Sequence, residues 1–350
     1  MTDPTVGERR IFKTTPSAAR PPLPMSAGLY ITGGKQKPVG FKAREEWVVF
    51  ERGLIVRVDP HRGSVERCVD YVTPPEASAQ DSSITFEGGV LEGDRLYTCT
   101  RTEAFVYRVP DFALLARVSL PCFNDVHHVR PSKDGNLIVA NTGLDMVLET
   151  TLEGEIVREW GVLGESPWIR FSRDVDYRKV LTTKPHASHP NFTFYIDDEL
   201  WVTRCMQQDA VSLTKPGRRI DATFYCHDGE VYGGKIYFTT VTGTIVVVDA
   251  ETLKTESVIN LNEIDNSGKA NLGWCRGLAR LDERHLWVGF TRFRETRFKE
   301  NVRWVKRFIK GEEKPTRVAL YDIVARKLLT EIDLEPFDMH VIFGVFPTGI

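Results

Sequence analysis

Residues 128–142 read HVRPSKDGNLIVANT: a short apolar strand, a turn built on Lys-Asp-Gly-Asn, and a second apolar strand. The same shape returns at 88–100 (GGVLEGDRLYTCT), 191–204 (NFTFYIDDELWVTR), 227–240 (HDGEVYGGKIYFTT) and 277–290 (GLARLDERHLWVGF). Each copy is followed by a third alternating segment, such as TIVVVDAETL or VALYDIVARK, and then a fourth, such as EIVREWGV or TESVINLN. Alternation with period two marks strands, and Gly, Asp and Asn at regular intervals mark tight turns. Four short antiparallel strands per repeat, with scarcely any helical periodicity, predict an all-β propeller whose blades bury their faces only by stacking on neighbours.

Five such units lie between 86 and about 335. The two ends supply another: HVIFGVFP (340–347) reads as an inner strand, and 45–72 as the three strands outside it. Their pairing closes a six-bladed ring and removes the open sheet edge, with five or seven blades as the alternative counts. Residues 1–40 read as a polar, proline-rich and partly disordered tail, leaving 41–350 as one propeller domain.

Counting back nine residues from the first apolar residue of each second strand lands on Glu87, His128, Asn191, His227 and Gly277, with His340 in the matching place of the closing blade. His189 and Arg276 lie beside two of these positions. Equivalent residues of innermost strands form a ring at one end of the channel, so half of the eight histidines gather there. Strand alternation turns one of His127 and His128 inward and the other away. For a single histidine, a polar channel lining with ordered water is the plain reading. Several in register beside a carboxylate point instead to a divalent transition metal, with Fe favoured over Zn, Cu or Mn.

Three over-long connections fall at the same end and predict lids: 164–188, 207–223 and 291–316. The last holds nine Lys or Arg residues against four glutamates, with aromatic and aliphatic residues between them, as in an amphipathic helix. With Arg178 and Arg219 in the other two loops, these charges predict a small anionic ligand. The whole chain of 350 residues has a net charge of only −2, which gives no global field for nucleic acid. No apolar run approaches a membrane span, and six scattered cysteines without a paired spacing fit reduced thiols, so the expected setting is cytoplasmic.

The segment NDVHHVRPSKDGNLIVANTGLDMVLETTLEGEIVREWG (124–161) resembles one blade of arylsulfate sulfotransferase-like propellers, in its D-x-H-H strand start and its closing Glu-Trp. That resemblance implies a six-bladed propeller moving sulfuryl groups through a channel histidine, here His127 or His128. The segments 274–296 and 317–347 resemble the last blades of a family of bacterial propellers without an assigned activity, which implies the fold alone. The histidine ring is also similar in principle to that of carotenoid-cleaving oxygenases, which hold iron with four histidines on inner propeller strands.

The sequence therefore predicts a metal held by His128, His189, His227 and His340, with Glu87, Arg276 and His127 as catalytic groups. Asn191, Arg178 and Arg219 would bind the substrate of an oxygenase or lyase. Two other readings stand beside it: metal-free group transfer through a channel histidine, and a non-catalytic scaffold for a protein or glycan.

Overall fold

A computed structural model describes residues 28–38, 48–265, 270–292 and 312–348. Six antiparallel four-stranded sheets form a six-bladed propeller, as the repeats predict. In chain order, blade 1 spans 89–118, blade 2 126–161, blade 3 190–221, blade 4 226–260 and blade 5 274–333. Blade 6 joins the two ends of the described chain, in the order Val341–Pro347, Leu29–Gln36, Phe50–Asp59, Ser64–Tyr71 from inside to outside. Leu29–Gln36 thus belongs to the propeller and not to the tail, and 45–72 supplies two strands of the closing blade where three were expected. Two successive glycines, Gly33 and Gly34, interrupt the apolar pattern that would have marked LYITGGKQ as a strand.

Why the strands are so apolar follows from the stacking. In blade 2 the strands Leu137–Asn141 and Met146–Thr150 are buried throughout. Leu137, Val139, Met146 and Leu148 pack with blade 1, while Ile138 and Val147 pack with blade 3. Alternate side chains serve opposite neighbours, so a strand buried on both faces loses the polar half of its alternation. Six apolar clusters of this kind fill the six blade interfaces, including the junction of blades 5 and 6 and that of blades 6 and 1.

The inner strands carry a further regularity. Register breaks at the mouth end put His127 of blade 2, His227 of blade 4, Gly277 of blade 5 and Phe343 of blade 6 into β-bulges, and Asn191 and Phe192 of blade 3 into another. A bulge adds a residue that its partner strand cannot match, and so re-aims a side chain. Gly277 takes a φ of +73°, which suits glycine there.

Two of the expected lids differ from expectation. Segment 207–223 is the outer half of blade 3, with strands Asp209–Ser212 and Arg219–Asp221. The buried Asp209 carboxylate holds it, accepting from Arg204 at 2.6 Å and Arg219 at 2.8 Å. Segment 164–188 does reach the mouth, but Trp168, Phe171, Tyr177 and Val180 pin it on the cluster between blades 1 and 2. It forms one wall of the mouth. Of 291–316, residues 293–311, and with them most of the basic segment, lie outside the described residues.

Closure of the ring depends on Gly33, whose missing side chain lets Val341–Pro347 lie against Leu29–Gln36. A methyl group there would run into the Val341 carbonyl oxygen and the Met339 sulfur. Gly33→Ala is expected to lower the urea unfolding midpoint by as much as Ile342→Ala, which empties part of the core between blades 5 and 6 at a cost of about 2–5 kcal/mol.

Candidate active site at the channel mouth

The bulges and the 164–188 wall converge on a small cavity of about 30 Å³, room for a water or two, lined among others by Glu87, Arg101, Asp125, His127, Lys184, His189 and Arg276. Phe50 and Phe343 form its apolar side, packed with Val341. His127 is central: its ring centroid lies 5.0 Å from that of His189 and 5.4 Å from that of His227. The His227 ring in turn packs at 6.3 Å against Phe343, and Arg276 lies over the same phenyl ring at 4.5 Å.

Asp125 organises the cluster from beneath. Its buried carboxylate accepts from Arg101 Nη1 at 2.9 Å, and it sits 3.7 Å from His127 Nε2 and 3.8 Å from His186 Nε2. Burial alone would raise its affinity for protons, but the Arg101 guanidinium and His127 outweigh burial and hold it well below the usual carboxylate range. Asp125 is therefore ionised at neutral pH. Its φ of +49° and the φ of +60° at His189 are left-handed conformations that side chains of this kind adopt at a cost, and both fall inside the site.

A second carboxylate, Asp145, fixes the turn that carries His186 and His189. It accepts from the backbone N–H groups of Ala187 at 2.9 Å, Ser188 at 2.8 Å and His189 at 2.9 Å, and pairs with Arg170 at 2.6 Å. His186 and His189 face each other with their Nδ1 atoms 2.8 Å apart.

Glu87 is the opposite kind of acid. It is buried, Thr85 donates to its Oε1 at 2.6 Å, and its Oε2 has no hydrogen-bond partner among the described residues. Burial pushes its pKa up to about 7 against the lowering pull of His127, Thr85 and Arg276. Burial also depresses the imidazoles of His189 and His227. His189 is held well below the ordinary value by burial and then by the charges of His127, His186 and Lys184. His227 is held down by burial and then by Arg276 and its imidazole neighbours. At pH 7 the site thus offers two neutral imidazoles, His189 and His227, one fixed carboxylate and one carboxyl close to half-protonated.

Of the residues named from the sequence, Glu87, His127, His189, His227 and Arg276 come together, and five others do not. His128 lies further down the channel, its Nδ1 3.0 Å from Thr193 Oγ1 and its ring edge-on to Phe192, and burial takes its pKa to about 3. His340 accepts from the Gln36 N–H at 3.2 Å and does not line the cavity. Arg178 pairs with Asp176 at 2.8 Å and Arg219 with Asp209, both away from the cavity. Asn191 donates to the Cys226 carbonyl at 3.4 Å and is likewise no part of the lining. The expected four-histidine set is not assembled: among the described residues no three His, Cys, Asp or Glu side chains are arranged to hold a metal ion. Cys226 and Cys275 are buried, and burial pushes both thiols above the ordinary range, so they serve as packing.

The site also holds residues that the ring count misses: Arg101, Asp125, Lys184 and His186. Asp125 alone left a signal, as the first residue of the D-x-H-H strand start. The others come from a blade turn and a long connection, where no periodicity speaks.

No family model matches the chain, and no curated protein matches it in sequence. Among solved structures, it is similar to a Bacteroides caccae protein of unknown function, at 14% identity and a TM-score of 0.58, over 92% of this chain and 99% of that one. A chain in a nidogen/laminin complex follows at 8% identity and a TM-score of 0.53, over 91% and 98%. A streptogramin B lyase aligns at 10% identity with a TM-score of 0.46, over 91% of each chain. At such identities the likeness to the first two concerns the fold: a β-propeller.

Proposed function

We propose that the channel mouth is an active site in which neutral imidazoles take a proton from a small anionic substrate while Glu87 delivers one to the leaving group. The reaction class is elimination or group transfer. The observation that carries this reading is the convergence of His189 and His227 on His127, at ring-centroid distances of 5.0 and 5.4 Å, above an ionised Asp125 and beside a carboxyl with a pKa of about 7. A general base works best unprotonated and a general acid best with a pKa near the working pH, and the two environments push these groups in those directions. Lys184 and Arg276 line the same cavity and supply the positive charge that an anionic substrate needs. The resemblance of 124–161 to sulfotransferase-like blades supports group transfer, because His127 stands in its matching motif.

The test is a thermal-shift screen of the full chain against small carboxylates, sulfate esters and phosphate esters, with mass spectrometry of the compounds that shift it. Turnover of at least one is expected, about 10²–10⁴-fold slower in Glu87→Gln and in a His127→Ala/His189→Ala double variant. Equal turnover by those variants sinks the reading. So does near-stoichiometric metal, measured by inductively coupled plasma mass spectrometry and lost in His127→Ala/His227→Ala.

Glu87 also gives a prediction that needs no substrate. Its pKa is raised on folding, from the ordinary carboxyl value of about 4.5 to about 7, so the folded state binds the proton more tightly than the unfolded one. The stability this contributes is complete below the unfolded pKa and is lost as pH rises through about 7. The urea midpoint of the parent protein should fall between pH 5 and pH 8 (roughly the span of that shift) more steeply than that of Glu87→Gln. Equal slopes would show that Glu87 is ionised throughout.

A further inference from the structure

We propose that Asp125, Thr183 and His186 form a relay that locks His189 in one tautomer, protonated on Nδ1 and bare on Nε2, making Nε2 of His189 the base that faces the cavity. Its tautomeric part stands on the hydrogen bonds of His186, His189 and Thr183 and on the approach of the Asp125 carboxylate to His186; the word base rests on the function proposed above.

The assignment follows from counting protons. The two Nδ1 atoms of His186 and His189 are 2.8 Å apart, so one donates and the other accepts. Two bare nitrogens at that distance would repel, and two N–H groups would collide. The choice between the two is made at the far side of His186. There Nε2 lies 3.4 Å from Thr183 Oγ1 and 3.8 Å from Asp125 Oδ2.

Thr183 has one hydroxyl proton, and its other two partners are carbonyl oxygens, of Gly143 at 2.5 Å and of the Asn124 side chain at 3.3 Å. The Asn124 amide is itself oriented, because its Nδ2 donates to the carbonyls of Tyr177 at 2.8 Å and Val180 at 2.7 Å. The Thr183 proton therefore goes to a carbonyl, and its oxygen can only accept from His186. Asp125, ionised against Arg101, also only accepts.

Both neighbours demand a proton on His186 Nε2. A neutral His186 is then bare at Nδ1 and accepts from His189 Nδ1, which leaves His189 Nε2 without a proton. His189 lines the cavity and His186 does not, so the bare nitrogen belongs to the ring that substrate can reach.

Asp145 holds both rings at this spacing through three consecutive backbone N–H groups. The charged groups facing the pair are Lys184, Asp125 and Asp145, with the His127 ring beside His189. When Nε2 of His189 accepts a proton, its Nδ1 proton can pass to His186 Nδ1. The resulting His186 imidazolium, still holding its Nε2 proton, lies 3.8 Å from the Asp125 carboxylate. The positive charge settles next to the ionised acid, and no proton needs to leave His186. Asp125, Thr183 and His186 are positioning residues in this scheme.

The experiment is long-range proton–nitrogen correlation spectroscopy of the histidine rings in the ¹⁵N-labelled full chain at pH 7.5 (where, by the ordinary histidine value of about 6.5, neutral rings dominate), assigned with His186→Gln and His189→Gln. His189 should show a protonated Nδ1 and a bare Nε2, and His186 the reverse. Thr183→Val removes one of the two acceptors and should shift His186 and His189 toward the opposite pair of tautomers, while Thr183→Ser restores the parent pattern. A protonated Nε2 on His189 in the parent protein overturns the proposal, whatever the variants do. Because the spectrum needs no turnover, failure to find a substrate would count against the proposed function and leave this assignment intact.

Discussion

Everything at the channel mouth depends on one constraint: a blade of four short strands has no face of its own to bury. Each sheet is covered only by its neighbours, so six interfaces have to be filled and the sixth has to join the two ends of the chain. Closing the circle brings six innermost strands together at the axis, where space runs out. The bulges at His127, Asn191 and Phe192, His227, Gly277 and Phe343 all stand at that level. They let side chains from different blades meet at distances that straight, alternating strands would not give.

Having brought imidazoles together, the fold must keep them from charging together. The site does this with unequal acids. Asp125 is ionised because Arg101 is in contact with it, and it gives the histidines around it a fixed negative neighbour. Glu87, whose carboxyl group has only Thr85 as a hydrogen-bond partner among the described residues, stays partly protonated near neutral pH. Both carboxyls are buried alongside the same histidine, His127; at Asp125 the contacting Arg101 guanidinium outweighs burial, while at Glu87 burial outweighs the pull of His127, Thr85 and Arg276.

The blade count was legible in the sequence because it rests on turn spacing, which repeats, and on apolar runs, which both-sided burial enforces. The level of the candidate site was legible too: aligning inner strands landed on Glu87 and His227 and within two residues of His127, His189 and Arg276. What the ruler could not do was tell His127 from His128, because a bulge breaks the alternation on which such a choice depends. It also set His340 on the ring, although an inner strand that starts at Val341 leaves that residue outside it, held by the Gln36 backbone. Arg219 looked like a free cation in a lid and is the partner of a buried carboxylate, a pairing that no local pattern announces. Lys184 and His186 arrive on a connection whose course is fixed by Tyr177 and Asn124, contacts far apart in sequence.

The positive charges at the mouth act twice. Lys184 and Arg276 are among the causes that keep His189 and His227 unprotonated, after burial itself. The same two side chains line the cavity into which an anion would come. An anion settled beside them offsets their field at the imidazoles, and the affinity of those rings for a proton rises by the same linkage that binds the anion. Burial and these two charges thus hold His189 and His227 neutral and weakly basic, and under the proposed function the arrival of an anion would strengthen them as bases. In the proposed reaction, a site built this way would match proton abstraction to occupancy without any moving part, with its residues on the propeller strands and on a loop anchored by Asp145.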